Sequence, residues 1–309
     1  GKVFSEPFQN FEYNRTFALE QCKSSNTDYV LLLDADMIFV CNLDVETFKK
    51  ALSTHDCFYI FQGSDQMYYK NTRIVRNNGK CKYIGVTHEY VSIPDEMTQG
   101  MFAKEHVFIN DIGDGGAKSD KFVRDVRLLK QGLVNDPMNV RYMFYLANSL
   151  KDLAHVERHN TQQKLRELKE TMSQLQPMVS SYTEDSNKVQ TIIELLSGMK
   201  KNLKNRFLER IHESISWYKK RIESGGFWEE IWYSCYNIGN LFMELKEYEK
   251  AVYYYYQGYT LFPQRVENIY KIVNYYRSAG RNIQAVHYYM LAKQSLEKQT
   301  NYDYLFIER

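Results

Sequence analysis

A disulfide framework is the first thing this chain lacks. Its five cysteines, Cys22, Cys41, Cys57, Cys81 and Cys235, are odd in number and form no CxxC pair, which also argues against a structural zinc site. That usage fits a reducing, cytoplasmic setting. Long apolar runs are missing too. None approaches the roughly 18 residues of a membrane-spanning helix, and the N-terminus has no signal-peptide pattern. Charge of one sign is also missing: 40 Lys and Arg against 38 Asp and Glu leave a net charge of +2, which removes the electrostatic footprint of a nucleic-acid partner. What remains is a chain of 309 residues, 44% of them apolar, with material for two cores.

The texture of the chain changes once. Up to Pro137, within the polar NDPMN, short β-rich runs such as DCFYIFQ and KYIGVTHEYVSI alternate with helical stretches such as YNRTFALEQCKS. Beyond it, strand signals vanish and Tyr, Leu, Ala and Lys recur at helical spacing. The expected organisation is an α/β domain over 1–137 and an all-α domain over 138–309.

The second half repeats itself. Ala251, Tyr255 and Gly258, followed by Pro263, are matched by Ala285, Tyr289 and Ala292, 34 residues on. Ile238, Gly239 and Phe242 stand upstream, where a partner helix packs. Small residues let two helices approach and aromatics fill the space between pairs, so the pattern resembles the tetratricopeptide repeat. Glu297 stands where the last repeat's proline is expected, so that repeat can act as a cap. A further repeat is split. Leu146, Ala147 and Leu150 fit its first helix and Ser214 and Tyr218 its second, with about 55 residues inserted between Glu157 and Ile211. Within that insertion Leu165, Leu168, Met172, Leu175 and Val179 step by three and four, as do Val189, Ile192, Leu196, Met199 and Leu203. With the polar SSYTEDSN between them, the two stripes predict an antiparallel helical hairpin.

The run Tyr29 to Val40, YVLLLDADMIFV, poses a puzzle. It reads as a buried strand, yet it carries Asp34 and Asp36, and unpaired buried carboxylates cost several kcal/mol. The aspartates need a partner. Two carboxylates at i and i+2 converge on one face where a strand leaves a sheet, and can hold a hard divalent cation that neutralises a diphosphate. An acidic pair without a ligand is the bland alternative.

The longer run YNRTFALEQCKSSNTDYVLLLDADMIF, with GVTHEYV and INDIGDGGAKSDKFVRDVRLL beyond it, resembles the family-2 glycosyltransferases of GT-A fold, in particular those carrying C-terminal tetratricopeptide helices. The resemblance implies Mn²⁺ or Mg²⁺ held by Asp36, Asp34 and Asp111, a nucleotide-diphosphate sugar donor met by Arg15, Asp34, Lys118 and Lys121, and Glu89 as the base that deprotonates an acceptor hydroxyl on a glycan, lipid or protein. Inverting transfer follows from a general base. Gly113, Gly115 and Gly116 suit a loop whose backbone approaches phosphates. The helical repeats would then recognise the acceptor or pair protomers into a homodimer. The GT-A strand, helix and strand that normally precede the segment from Phe11 are not in this sequence, so the expected fold is an N-terminally incomplete GT-A-like domain, and truncation of a longer protein is the expectation. The competing expectation is a non-catalytic tetratricopeptide scaffold with a degenerate transferase half.

Overall fold

The computed structural model describes residues 2–64, 66–113, 120–179 and 183–297, and for 175–179, 183–190, 192 and 297 the backbone only. Two compact units form, residues 1–132 and 133–309.

In the first unit, α1 (Phe11–Gln21) starts where the Asn10 side chain accepts the Tyr13 backbone N–H at 2.8 Å, satisfying one of the orphan donors of a helix start. The expected single strand over Tyr29 to Val40 is broken. It becomes β1 (Tyr29–Leu31) and β2 (Met37–Cys41), with a turn at Ala35 and Asp36 between them. Next come α2 (Val45–Leu52), capped by Asp44, then β3 (Cys57–Gly63), β4 (Tyr68–Arg76), β5 (Lys82–Ile84), β6 (Tyr90–Ser92), β7 (Gln99–Met101), β8 (Val107–Asp111) and α3 (Lys121–Asn135).

The main sheet has the order β1-β4-β3-β8-β2, with β7 also pairing β3, and β5 and β6 form a separate antiparallel pair. Pairing is mixed. β3 runs antiparallel to β4 but parallel to β7 and β8, while β2 runs antiparallel to β8. Because successive strand residues face opposite sides, Cys57 and Val75 join Leu19, Leu32, Tyr83 and Met97 in one core, while Phe58, Ile60 and Ile74 join Phe102, Val107 and Ile109 in another, capped by Phe48 and Leu52 of α2. This is an α/β unit. The GT-A architecture that the resemblance implied is not shown by it.

The second unit is helical: α4 (Val140–Val179), α5 (Thr183–Glu223), α6 (Trp228–Glu244), α7 (Tyr248–Leu261), α8 (Glu267–Ser278) and α9 (Asn282–Glu297). They pack as successive neighbours, α4 on α5, α6 on α7 and α8 on α9, with α5 on α6 and α7 on α8 between the pairs. This is compatible with tetratricopeptide-like repeats. Ala251 and Tyr255 are fully buried, and so are Ser214 and Tyr218 at the matching positions of the split repeat. Ser214 donates to the Ala147 carbonyl at 2.7 Å, and a Cβ on Gly239 would lie 2.3 Å from the Tyr255 ring, so the small residues do set the helix approach. The last repeat departs from the pattern. Tyr289, the counterpart of Tyr255, is 54% exposed.

The inserted segment is continuous with the repeat helices that flank it. It prolongs α4 and α5 to 40 and 41 residues, about 60 Å each at 1.5 Å per residue. Partners along the two helices run in opposite order, Asn148 with Tyr218 and Glu157 with Arg210, so they are antiparallel. Residues 180–182 of the polar joint, and the side chains of Leu175, Val179, Val189 and Ile192, lie outside what is described. Among the described residues, no helix is long and apolar enough to cross a membrane.

Candidate functional site

The aspartate puzzle is answered by two arginines. Leu32 still bonds to β4, its N–H donating to the Arg73 carbonyl at 2.8 Å, but the chain then turns and the Met37 N–H closes on the Asp34 carbonyl at 3.1 Å. At this turn Asp34 accepts from Arg15 of α1 at 2.5 Å through Oδ1, and Arg73 of β4 lies 3.5 Å from its Oδ2. Arg15 forks. Its Nε donates to Glu89 Oε1 at 2.6 Å, so one guanidinium clasps both carboxylates. Arg73 is buried, and also donates to Gln62 Oε1 at 2.5 Å and to the Leu32 carbonyl at 3.1 Å.

Glu89 is delivered by a tight loop. Gly85 (φ +115°) and His88 (φ +52°) both take left-handed backbone, and the Gly85 N–H donates to Glu12 Oε2 at 2.9 Å, tying the loop to α1. A Cβ on Gly85 would lie 3.2 Å from the Glu89 Cα, so glycine is needed there. The Arg15 guanidinium also faces the Tyr83 ring at 5.7 Å. Burial works against its charge, but the bond to Asp34 and the charges of Glu89 and Asp34 outweigh it and hold its pKa above the ordinary arginine value. The same burial raises the Tyr83 phenol, with Arg15 opposing. Two cations and two carboxylates thus form a balanced network that joins α1, β4, the turn after β1 and the loop before β6.

The remaining candidates sit apart from that network. Met37 pairs with Asp111 in the β2 and β8 register, and the Ile112 N–H donates to the Asp36 carbonyl at 3.1 Å, so Asp36 and Asp111 stand at one end of that strand pair. Asp111 Oδ1 accepts the Gly113 N–H at 3.1 Å. Lys121 opens α3, with its Nζ 5.7 Å from the Phe122 ring. Lys118, Gly115 and Gly116 lie outside the described residues. Among the described residues, no group of three or more His, Cys, Asp or Glu stands together as a metal-holding cluster.

Sequence reading missed Arg73 and Gln62. The only signal was weak: Arg73 directly precedes the apolar Ile74 and Val75 of β4, and its burial shows only in the fold.

No family model and no curated protein matches the chain. Among solved structures, a crystal structure of MamA is similar at 20% identity, covering 62% of this chain and 98% of its own, with a TM-score of 0.29. A second MamA structure stands at 19% identity, 64% and 94% coverage and a TM-score of 0.29. BtubC (BKLC) from P. vanneervenii follows at 12%, 62% and 97%, with a TM-score of 0.24. The resemblance to family-2 glycosyltransferases is therefore corrected. No model of that family matches, and no metal-binding group stands among the described residues. The physical reason is that the aspartate-rich turn has a structural use. Asp34 is taken up by Arg15 and Arg73, which neutralise it at the turn after β1 without a metal ion.

Proposed function

We propose that this protein is a non-catalytic scaffold, in which tetratricopeptide-like helices present a binding surface and the α/β unit is a structural companion. The observation that carries this is the split behaviour of the aromatics in the helical unit. Tyr218 and Tyr255 fill the space between helices, while Tyr253, Tyr256, Tyr270 and Tyr289 remain 44% to 62% exposed. Tyrosine offers large contact area and a polar tip at low entropic cost, and is enriched where proteins bind one another. In the α/β unit Asp34 and Glu89, two of the carboxylates that chemistry would use, are clasped by Arg15. The five free thiols suit a cytoplasmic setting.

A second reading keeps one observation on its side. Arg15 does bring Asp34 and Glu89 together, which suits transfer from a nucleotide-diphosphate donor that arrives with Mn²⁺ or Mg²⁺. The test is turnover. Incubated with Mn²⁺ and a panel of nucleotide sugars, the protein is expected to release no nucleoside diphosphate above background. Release that disappears in both Asp34→Asn and Glu89→Gln would replace the scaffold by an enzyme.

A further inference from the structure

The prolonged parts of α4 and α5 enclose a groove of about 1120 Å³ that the tyrosine surface does not include. Its floor is apolar, formed by Leu165 and Met172 of α4 and Leu196 and Leu203 of α5. Its walls are cationic. Arg166 and Lys169 come from one helix and Lys200, Lys201 and Lys204 from the other, and among the described residues no acidic one lines it. Arg158, at the repeat end, is already paired with Glu244 and lies over the Phe207 ring.

Two helices alone do not finish this structure. Among the described residues from 155 to 206 none is buried, and Ile193, which lines the groove, is 45% exposed. Apolar stripes spaced by three and four are the seam of a helical bundle, and a pair that leaves its seam half open has room for a third helix.

We propose that this groove docks an acidic amphipathic helix of a partner protein. Charge decides the occupant. A second copy seated groove to groove would face cationic walls with cationic walls, which repels. An anionic membrane is flat, whereas these charges line a groove between two helices. An acidic helix with an apolar stripe satisfies both floor and walls. The lining positions of α4 run from Arg158 to Ser173, about 24 Å of helix axis, which accommodates some four turns of a partner.

The experiment uses the full chain and defined probes. A fluorescent peptide of about 21 residues, with leucines at helical spacing and glutamates elsewhere, is titrated by anisotropy beside a twin carrying lysines for the glutamates. The acidic peptide is expected to bind at least about tenfold more tightly than its twin, and to weaken several-fold between about 50 and 300 mM salt. The triple variant Lys200→Glu, Lys201→Glu, Lys204→Glu, with unchanged circular dichroism, is expected to lose that binding. Leu196→Ser, which leaves the walls intact, is expected to weaken both the acidic peptide and its salt-independent remainder. Equal affinity for the two peptides, or indifference to the triple variant, overturns the proposal. So does flotation with phosphatidylserine vesicles without peptide binding, or self-association that the triple variant abolishes. None of these outcomes depends on whether the α/β unit turns over a nucleotide sugar.

Discussion

Replacing Gly239 by alanine tests the packing on which the helical unit depends. In a helix interior alanine is favoured over glycine by about 0.8 to 1.0 kcal/mol, so a site with free space gains stability. Gly239 has none. A Cβ there would lie 2.3 and 2.4 Å from Tyr255 Cε1 and Cδ1. That ring is 1% exposed and its hydroxyl donates to Asn240 Oδ1 at 2.8 Å, so retreat disturbs a buried contact and a hydrogen bond together. Overpacking costs about 1 to 3 kcal/mol and the hydrogen bond about 1 more, which outweighs the propensity gain and leaves a net loss of about 1 to 3 kcal/mol. Gly198 of α5 is the internal control. Among the described residues nothing beyond its own helix backbone and chain neighbours lies within 4 Å of its Cβ position, so Gly198→Ala should gain about 0.5 to 1 kcal/mol. Urea unfolding followed by ellipticity at 222 nm reads both. The midpoint should fall for Gly239→Ala and rise for Gly198→Ala. A rise in both variants would refute the reasoning, because it would mean that α6 and α7 do not approach through glycine.

Three further outcomes are expected. Arg15→Gln leaves Asp34 and Glu89 without their shared cation, and since these side chains are only 25% and 14% exposed the loss should be about 1 to 3 kcal/mol in the urea midpoint, with Arg15→Lys recovering only part because an ammonium cannot fork; an unchanged midpoint would remove the network from the account. His155 Nε2 lies 2.8 Å from Glu244, a bond that raises the histidine above 6.5 against the opposing effect of burial, and that lowers the glutamate below 4.5. The bond's stabilisation is therefore full between those values, fades as pH rises through the raised histidine pKa, and fades as pH falls through the lowered glutamate pKa. The thermal midpoint should be higher at pH 6 than at pH 8, and His155→Gln should flatten that difference. Finally, Cys22 and Cys41 are partly exposed, while Cys57, Cys81 and Cys235 are buried, with burial pushing the Cys235 thiol up to about 12. A thiol reagent should titrate two groups in the native protein and five after denaturation.

The helical unit was the more legible half. Spacing alone placed Ala251 and Tyr255, and the split pair Ser214 and Tyr218, at positions that are buried in the structure, because a repeat imposes one small residue and one aromatic at fixed steps. The insertion was legible as two stripes, but not as a prolongation of α4 and α5, since nothing in a stripe marks where one helix ends and another begins. The exposure of Tyr289 was not legible either, because the spacing that places it matches that of the buried Tyr255. In the α/β unit the texture was readable while the partner of Asp34 was not. Arg15 and Arg73 lie far away in sequence on α1 and β4, and only the fold brings them to the turn. The resemblance to glycosyltransferases failed at that point. A short acidic motif at a strand end describes a donor site and an ion-paired turn equally well; Arg15 was read as a donor contact, and Arg73 was not read at all.

If Asp34 and Glu89 serve structure through Arg15 and the protein is a scaffold, it has no metal-dependent donor site, and binding of a nucleoside diphosphate tests this most directly. Calorimetric titration of the protein with a panel of nucleoside diphosphates, with and without Mn²⁺, is predicted to give no metal-dependent heat of binding. Saturable, Mn²⁺-dependent binding that Asp34→Asn and Asp36→Asn abolish would contradict it.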